Sequence, residues 1–294
     1  MTTENNNKVT VIGLGSMGTT LARLLLNKGY QVTVWNRSSG RAKDLIPEGA
    51  IEAKDISTAI AASPLIVICV YNYEATRQIL DNSEVGTLLS GKLLLQLSTI
   101  SPREAVESEI WAKGHGAIYL NGGIQAAPTQ MGKADTPILI SGNQEAYHLA
   151  EPVLNVFGGA ISYLGEKIAA SPTVDLATLS YIYGASIGFF HGARIIESQG
   201  LSVADYGDIV AGISPSFGAF LKHEGNMIHT DNYAITESPL RISVEATARL
   251  EQTALEAGIN TEFPAFAAGL FKKAHLSGYG DQEVAAMIKV LRTQ

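Results

Sequence analysis

Short apolar runs punctuate the first half of the chain, each about as long as a buried strand. Val9–Gly13, Gln31–Trp35, Leu65–Val70, Leu93–Leu97, Ile118–Asn121 and Pro137–Ser141 fit that description. Leu65–Val70 and Leu93–Leu97 are apolar throughout or nearly so, as expected for strands covered on both faces of a parallel sheet. Between the strands lie stretches with helical character. Thr19–Lys28 predicts a helix ended by Gly29, Arg41–Leu45 starts one that stops before Pro47, and Pro102–Lys113 predicts a third. Strands alternating with helices imply βαβ units on a parallel sheet.

The pattern changes after Gly165, where helical periodicity takes over and strand signals almost vanish. Ser171 and Pro172 form a helix start, with Ser at the N-cap and Pro at the first helical position. The helix they open runs to Ser198, with a stop at Gly200. It is apolar nearly all round, with small residues at Gly184, Ala185, Gly188 and Gly192. Such a helix requires cover on every side, and the segment after Gly200 is short for that task, so a second subunit is expected to pack around it. The expected organisation is an α/β domain over 1–165, a long connecting helix over 166–199 and a helical domain over 200–294.

Composition narrows the function classes. With 46% hydrophobic and 17% charged residues in 294, the chain is core-forming rather than disordered. A formal net charge of −7 argues against general attraction to nucleic acid. Met1–Lys8 is polar and lacks an apolar signal-peptide core, and no run reaches the ~18 apolar residues of a membrane span, so a soluble protein is expected. Cys69 is the single cysteine, which rules out an intrachain disulfide and fits a reducing cytoplasm.

The chemistry begins at Gly13-Leu14-Gly15-Ser16-Met17-Gly18, between a predicted strand and a predicted helix. In that setting Gly13 allows a tight turn, Gly15 lets backbone approach a pyrophosphate, and Gly18 lets helix and strand pack closely. The helix N-terminus then supplies free amides and a favourable dipole. This is the dinucleotide-binding fingerprint of a Rossmann domain. At the end of the second strand, where an NAD site carries Asp or Glu, stand Asn36, Arg37 and Ser38, with Arg41 beyond. These groups donate to a 2′-phosphate that a carboxylate would repel, so the expected cofactor is NADPH. The alternative is that Arg37 and Arg41 are a solvated helix start.

The runs VIGLGSMG, VTVWNRS and LSTISP (Leu97–Pro102) resemble the β-hydroxyacid dehydrogenase superfamily. That resemblance implies that Ser98 and Thr99 lie near the nicotinamide and that Val70 ends the strand behind the adenosine half. NGGIQAAPTQMG (Asn121–Gly132) and DLATLSYIYGASIGFFHGA (Asp175–Ala193) further resemble NADPH-dependent imine reductases. The hydroxyacid dehydrogenases carry a catalytic Lys near the start of the long helix. Here that stretch has none, Lys167 precedes it, and Asp175 stands at the corresponding position with Tyr183 eight residues on. The resemblance implies a Rossmann domain joined by a long helix to an all-α domain. It also implies a homodimer in which each C-terminal domain packs on the partner's Rossmann domain, with Asp175 and Tyr183 in the site.

On one helix, Asp175 and Tyr183 point to broadly similar sides, about 12 Å apart along the axis, so they can flank a pocket without touching. The sign of the charge matters. A Lys stabilises the alkoxide formed from a ketone, whereas a carboxylate favours protonation of an imine. Walls of that pocket are expected from Asn121–Gln125 and from helices bearing Phe217 and Met227. The plainer alternatives are that Asp175 complements the helix dipole and Tyr183 is a core aromatic. A hydroxyacid dehydrogenase, which an anion-binding Arg241 near the pocket would favour, and a non-catalytic NADPH-binding protein remain the other functional readings. His191 is expected to be structural and Cys69 inert, and His223 and His229 are poorly spaced for a shared metal, so none is expected.

Overall fold

The computed structural model describes residues 7–292, so the polar start of the chain falls outside the described residues apart from Asn7 and Lys8. Two compact units divide inside one helix: Met1–Ser180 and Tyr181–Gln294.

The first unit is built on strands β1 (Lys8–Ile12), β2 (Gln31–Trp35), β3 (Ile51–Glu52), β4 (Leu65–Ile68), β5 (Leu93–Gln96), β6 (Ile118–Ile124), β7 (Pro137–Gly142) and β8 (Ala160–Tyr163). Its helices are α1 (Ser16–Asn27), α2 (Ile56–Ala62), α3 (Tyr73–Leu80), α4 (Ser83–Leu88), α5 (Pro102–Gly114), α6 (Gln144–Phe157) and the start of α7 (Ala170–Ser198). The eight strands form one sheet in the order β3-β2-β1-β4-β5-β6-β7-β8, parallel except between β6 and β7. Alternate residues of a strand face opposite sides, and the sheet carries a core on each. Leu65 and Val67 of β4 join Leu21, Leu25, Leu154 and Phe157 from α1 and α6 on one face. Ile66 and Ile68 join Ile60, Leu80, Val85 and Ala112 from α2 to α5 on the other.

Two sequence expectations fail locally. The helix expected from Arg41 is a run of turns, whose bonds connect Leu45 N–H to Ala42 O and Glu48 N–H to Leu45 O. Pro47 has no N–H to continue a helical ladder, and Gly49 takes φ +106°. Ser171 is not an N-cap: α7 begins at Ala170, and the Ser171 hydroxyl sits fully buried on Asn121.

The second unit holds the rest of α7 with α8 (Val203–His229), α9 (Leu240–Glu256), α10 (Glu262–Ala274) and the short α11 (Ile288–Leu291). After Gly200 the chain therefore supplies long helices, α8 and α9 above all, more than the short stretch expected. Gly188 and Gly192 of α7 mark close approaches: a Cβ at Gly192 would lie 2.3 Å from the Tyr206 hydroxyl, and one at Gly188 would touch Phe263 at 3.5 Å. Met227, Tyr233, Leu240, Ala274, Ala285, Ala286 and Val290 form this unit's small core. Much of α7 and α8 stays exposed, including Ile182, Tyr183, Ile187, Phe190, Ile209, Ile213 and Phe217. No helix of the described residues is long and apolar enough to cross a membrane.

Candidate active site

The sheet's strand order reverses between β1 and β4, and at the carboxyl ends of these strands a crevice opens, as in other doubly wound sheets. Its volume is about 510 Å³, and Gly13, Leu14, Gly15, Ser16, Met17 and Gly18 line one wall. Each glycine has its own constraint. Gly13 adopts φ +96°, and a Cβ there would meet Cys69 O at 2.2 Å. A Cβ at Gly18 would lie 1.9 Å from Gly13 O, so α1 could not pack against the turn. At Gly15 nothing stands within 4 Å, which leaves open space directly above the backbone. Gly15 is also the N-cap of α1 and offers no capping side chain, and no acid occupies the first turn. That combination fits a dianionic pyrophosphate seated on free helix N–H groups.

Asn36, Arg37, Ser38 and Arg41 line the far wall, and Val70 the floor. No carboxylate lines this crevice, so the residues present suit a 2′-phosphate. An adjoining groove of about 490 Å³ shares Arg41 and adds Arg23, Lys43 and Asp44, with Arg23 paired to Glu48 at 2.9 Å. Asn36 has a more internal task than a phosphate donor. Its Oδ1 accepts from Leu14 N–H at 2.9 Å and its Nδ2 donates to Ser38 O at 3.0 Å, tying the glycine turn to the loop after β2. Arg37 Nη1 donates to Gln78 Oε1 at 3.2 Å from α3. Ser98 is buried, and its hydroxyl accepts from Val70 N–H at 2.9 Å, so it fixes the turn after β4; Thr99 beside it is exposed. Tyr71, 94% exposed at the crevice, carried no signal in the sequence beyond following Val70.

Asp175 lies elsewhere in the first unit, against β6. A buried network pins the start of α7 there: Ser171 N–H donates to Ser141 Oγ at 3.0 Å, and Ser171 Oγ donates to Asn121 Oδ1 at 2.9 Å. Four residues on, Asp175 therefore faces the strand and is 5% exposed. A Cβ at Gly123 would come within 3.0 Å of its Cβ, so glycine in Asn121-Gly122-Gly123 makes the room. Gln125 Nε2 donates to Asp175 Oδ1. Burial raises the Asp175 carboxyl above its ordinary range, and the Gln125 bond partly opposes this. Among the described residues it has no ion pair. Tyr183, two turns along the same helix, is 64% exposed in the second unit.

Other candidates resolve differently. Met227 belongs to the second unit's core, while Phe217 on the same helix is exposed. Arg241 is ion-paired with Asp281. The His191 ring packs near Phe263, and burial pushes the Cys69 thiol up to about 11. Folding brings His223, Glu224 and Glu283 together, a grouping that the His223–His229 spacing gave no hint of. Both Glu283 oxygens there are taken by backbone N–H groups, which makes the cluster a hydrogen-bonded knot.

The crevice and its sheet define a dinucleotide-binding domain of the Rossmann type. Residues 8–165 match the family of the NAD-binding domain of 6-phosphogluconate dehydrogenase, and residues 168–293 match the C-terminal domain of the NADPH-dependent reductive aminase-like family. An NADPH-dependent reductive aminase of Aspergillus oryzae is 30% identical, with 96% of each chain covered. Among solved structures, a reductive aminase from Aspergillus terreus in complex with NADPH and ethyl levulinate superimposes with a TM-score of 0.92 at 33% identity, covering 97% of this chain and 99% of that one. An imine reductase from Myxococcus stipitatus in complex with NADP+ also gives 0.92, at 30% identity and 97% and 100% coverage. The chain belongs to the imine reductase and reductive aminase family.

Proposed function

We propose that this protein reduces C=N bonds to amines with NADPH, cyclic imines first, and that reductive amination falls within its range. The observation that carries the reading is a buried carboxyl, Asp175, with no cation paired to it among the described residues. An imine nitrogen brought to it is protonated more readily, and the resulting iminium is the species that accepts hydride. A developing alkoxide at the same place would be repelled, which disfavours ketone and hydroxyacid chemistry.

Residues 1–165 serve as the cofactor domain, 166–199 as the connecting helix and 200–294 as the helical domain. NADPH, when bound, supplies the hydride. Gly13, Leu14, Gly15, Ser16, Met17 and Gly18 seat its pyrophosphate; Arg37, Ser38 and Arg41 hold its 2′-phosphate; and Asn36 keeps these two segments in register. Val70 packs on the adenosine side, while Ser98 and Thr99 border the nicotinamide. Tyr183 supplies a hydroxyl and a ring to the substrate side, and Asn121–Gln125 form part of its wall. A homodimer covers the apolar surface of α7 and α8, and the lone thiol suits a cytoplasmic setting.

The test follows NADPH absorbance with 2-methylpyrroline, beside a reaction of NADP+ with 3-hydroxyisobutyrate. Turnover with the imine alone is expected, and Asp175→Ala should lower kcat by about 100-fold or more. Turnover with the hydroxyacid alone would overturn the proposal.

A further inference from the structure

Gln125 stands one residue beyond β6, and its amide is divided between two fates. Nε2 donates to Asp175 Oδ1, while Oε1 is buried with no partner among the described residues. An unpaired buried amide oxygen carries a desolvation penalty, so its presence beside Asp175 calls for an explanation. The side-chain partner of Asp175 is equally notable: a neutral amide, neither a cation nor a hydrocarbon. The elements packed around the carboxyl bring no charge of their own. From β6 come Asn121, Gly122 and Gly123, from the residue after it Gln125, and one turn away on α7 stand Ser171, Pro172, Thr178 and Leu179, all uncharged.

An arginine here would lock Asp175 as a carboxylate and stop it from giving up a proton. A leucine would leave it a permanent acid. An amide does neither, because it offers a donor and an acceptor on one rotatable group. With the side chain as it stands, Nε2–H supports the carboxylate. Turned by half a rotation about its last torsion, it presents Oε1 to the O–H of the carboxylic acid.

We propose that Gln125 is a positioning residue that serves both protonation states of Asp175, so that this carboxyl can pass a proton to the substrate nitrogen and recover it. The inference rests on the C=N reading above. In the step, the Asp175 O–H bond breaks and the imine lone pair forms the N–H bond. The carboxylate left behind accepts a hydrogen bond from Gln125 Nε2–H, and a proton from solvent restores the acid.

The experiment compares wild type, Gln125→Met and Gln125→Glu on two substrates over a pH series. One is neutral 2-methylpyrroline, which must gain a proton; the other is its N-methyl iminium, which already carries the charge. Fluorescence titration with NADPH checks that the fold and the cofactor crevice are intact. Removing the Nε2–H bond destabilises the carboxylate and raises the Asp175 pKa. The alkaline limb of kcat for the imine should therefore move up by about one pH unit in Gln125→Met. It should move further in Gln125→Glu, where a second carboxyl adds like-charge repulsion. At neutral pH, kcat for the imine should fall about tenfold in Gln125→Met as the acid loses its orientation. Turnover of the N-methyl iminium should stay within about threefold of wild type, because no proton transfer is required there. KM for both substrates should hardly move. Equal losses on both substrates with an unmoved alkaline limb would show that Gln125 merely packs, and would overturn the inference alone. Wild type inert on both substrates would sink the C=N reading, and this inference with it.

Discussion

Gly15 and Gly18 stand three positions apart with different demands on them. Gly18 is required by the protein itself: a Cβ 1.9 Å from a backbone oxygen forces α1 off its turn. Gly18→Ala should destabilise the apo protein by about 3 kcal/mol or more, visible as a large drop in melting temperature. Gly15 is required by the ligand. Gly15→Ala should cost the apo fold only a few tenths of a kcal/mol, yet weaken NADPH at least ~10-fold in a fluorescence titration. Wild-type NADPH affinity in Gly15→Ala would remove the pyrophosphate from this turn. Replacing Arg37 and Arg41 together by Ala should weaken NADPH by about 100-fold and NADH by under about threefold, since only the former carries the 2′-phosphate. The glycine turn and the two arginines were legible because their spacing along the chain is the constraint. The role of Asn36 was not, because its side chain binds Leu14 N–H, 22 residues away, once β1 and β2 are paired. The Gln125–Asp175 contact spans 50 residues and left no trace in any local pattern.

The elements themselves divide along the same line. The central strands β4 and β5 are apolar runs broken only by Gln96 because both faces are covered, and six of the eight strands were legible in the sequence. Missed were β3, a two-residue edge strand, and β8, whose Ala160–Tyr163 alternates half-buried and exposed positions. Helices α2, α3 and α4 escaped because they are short and start from local caps at Asp55, Asn72 and Asn82 rather than from a long apolar stripe, and the longer α6 escaped as well, with Pro152 in its interior arguing against a helix there. The knot in the second unit joins elements in a way that no periodicity marks. Glu283 accepts backbone N–H bonds from Thr236, Glu237, Ser238 and Val284, fastening the loop before α9. Burial alone would raise its carboxyl, but these bonds together outweigh that and hold it at about 2. A carboxylate held below its unfolded value of 4.5 contributes stability above that pH, and the contribution fades as pH falls through the window from 4.5 to about 2. Glu283→Ala should therefore lower stability at pH 7 by about 3 kcal/mol and flatten acid unfolding in that window, both measurable by urea titration. Glu224 carries the opposite sign. Burial first, and then the charge of Glu283, raise its carboxyl above 4.5, so its ionisation costs stability as pH rises beyond that value. Glu224→Gln keeps an acceptor for Ala285 N–H and should gain up to about 1 kcal/mol at pH 7. A loss there would mean that the charge itself is needed.

Across the whole molecule the sequence conveyed the change of character near Gly165 and the all-round apolarity of α7, but not what answers it. The two units meet inside that helix, between Ser180 and Tyr181. In the second unit Ile187 is 53% exposed and Ile213 57% exposed, with Phe190 and Phe217 exposed nearby in the sequence. Isolated exposed apolar side chains are ordinary, whereas two long helices carrying several each are the signature of an interface. Obligate homodimers bury about 2,000 Å² or more in total, which helices of this length can supply. If a second copy covers α7 and α8, wild type should sediment as a dimer and its melting temperature should rise with protein concentration. Ile187→Glu combined with Ile213→Glu places two charges in that interface and should yield a monomer. The cofactor crevice lies wholly within the first unit, so this monomer should still quench or enhance NADPH fluorescence with near-normal affinity. Its imine turnover should nonetheless fall at least ~100-fold, because the substrate side is expected to need both chains. A double variant that stays dimeric would show that these faces serve some other contact. A monomer with full turnover would show that each chain carries a complete site, and would separate the dimer from the chemistry.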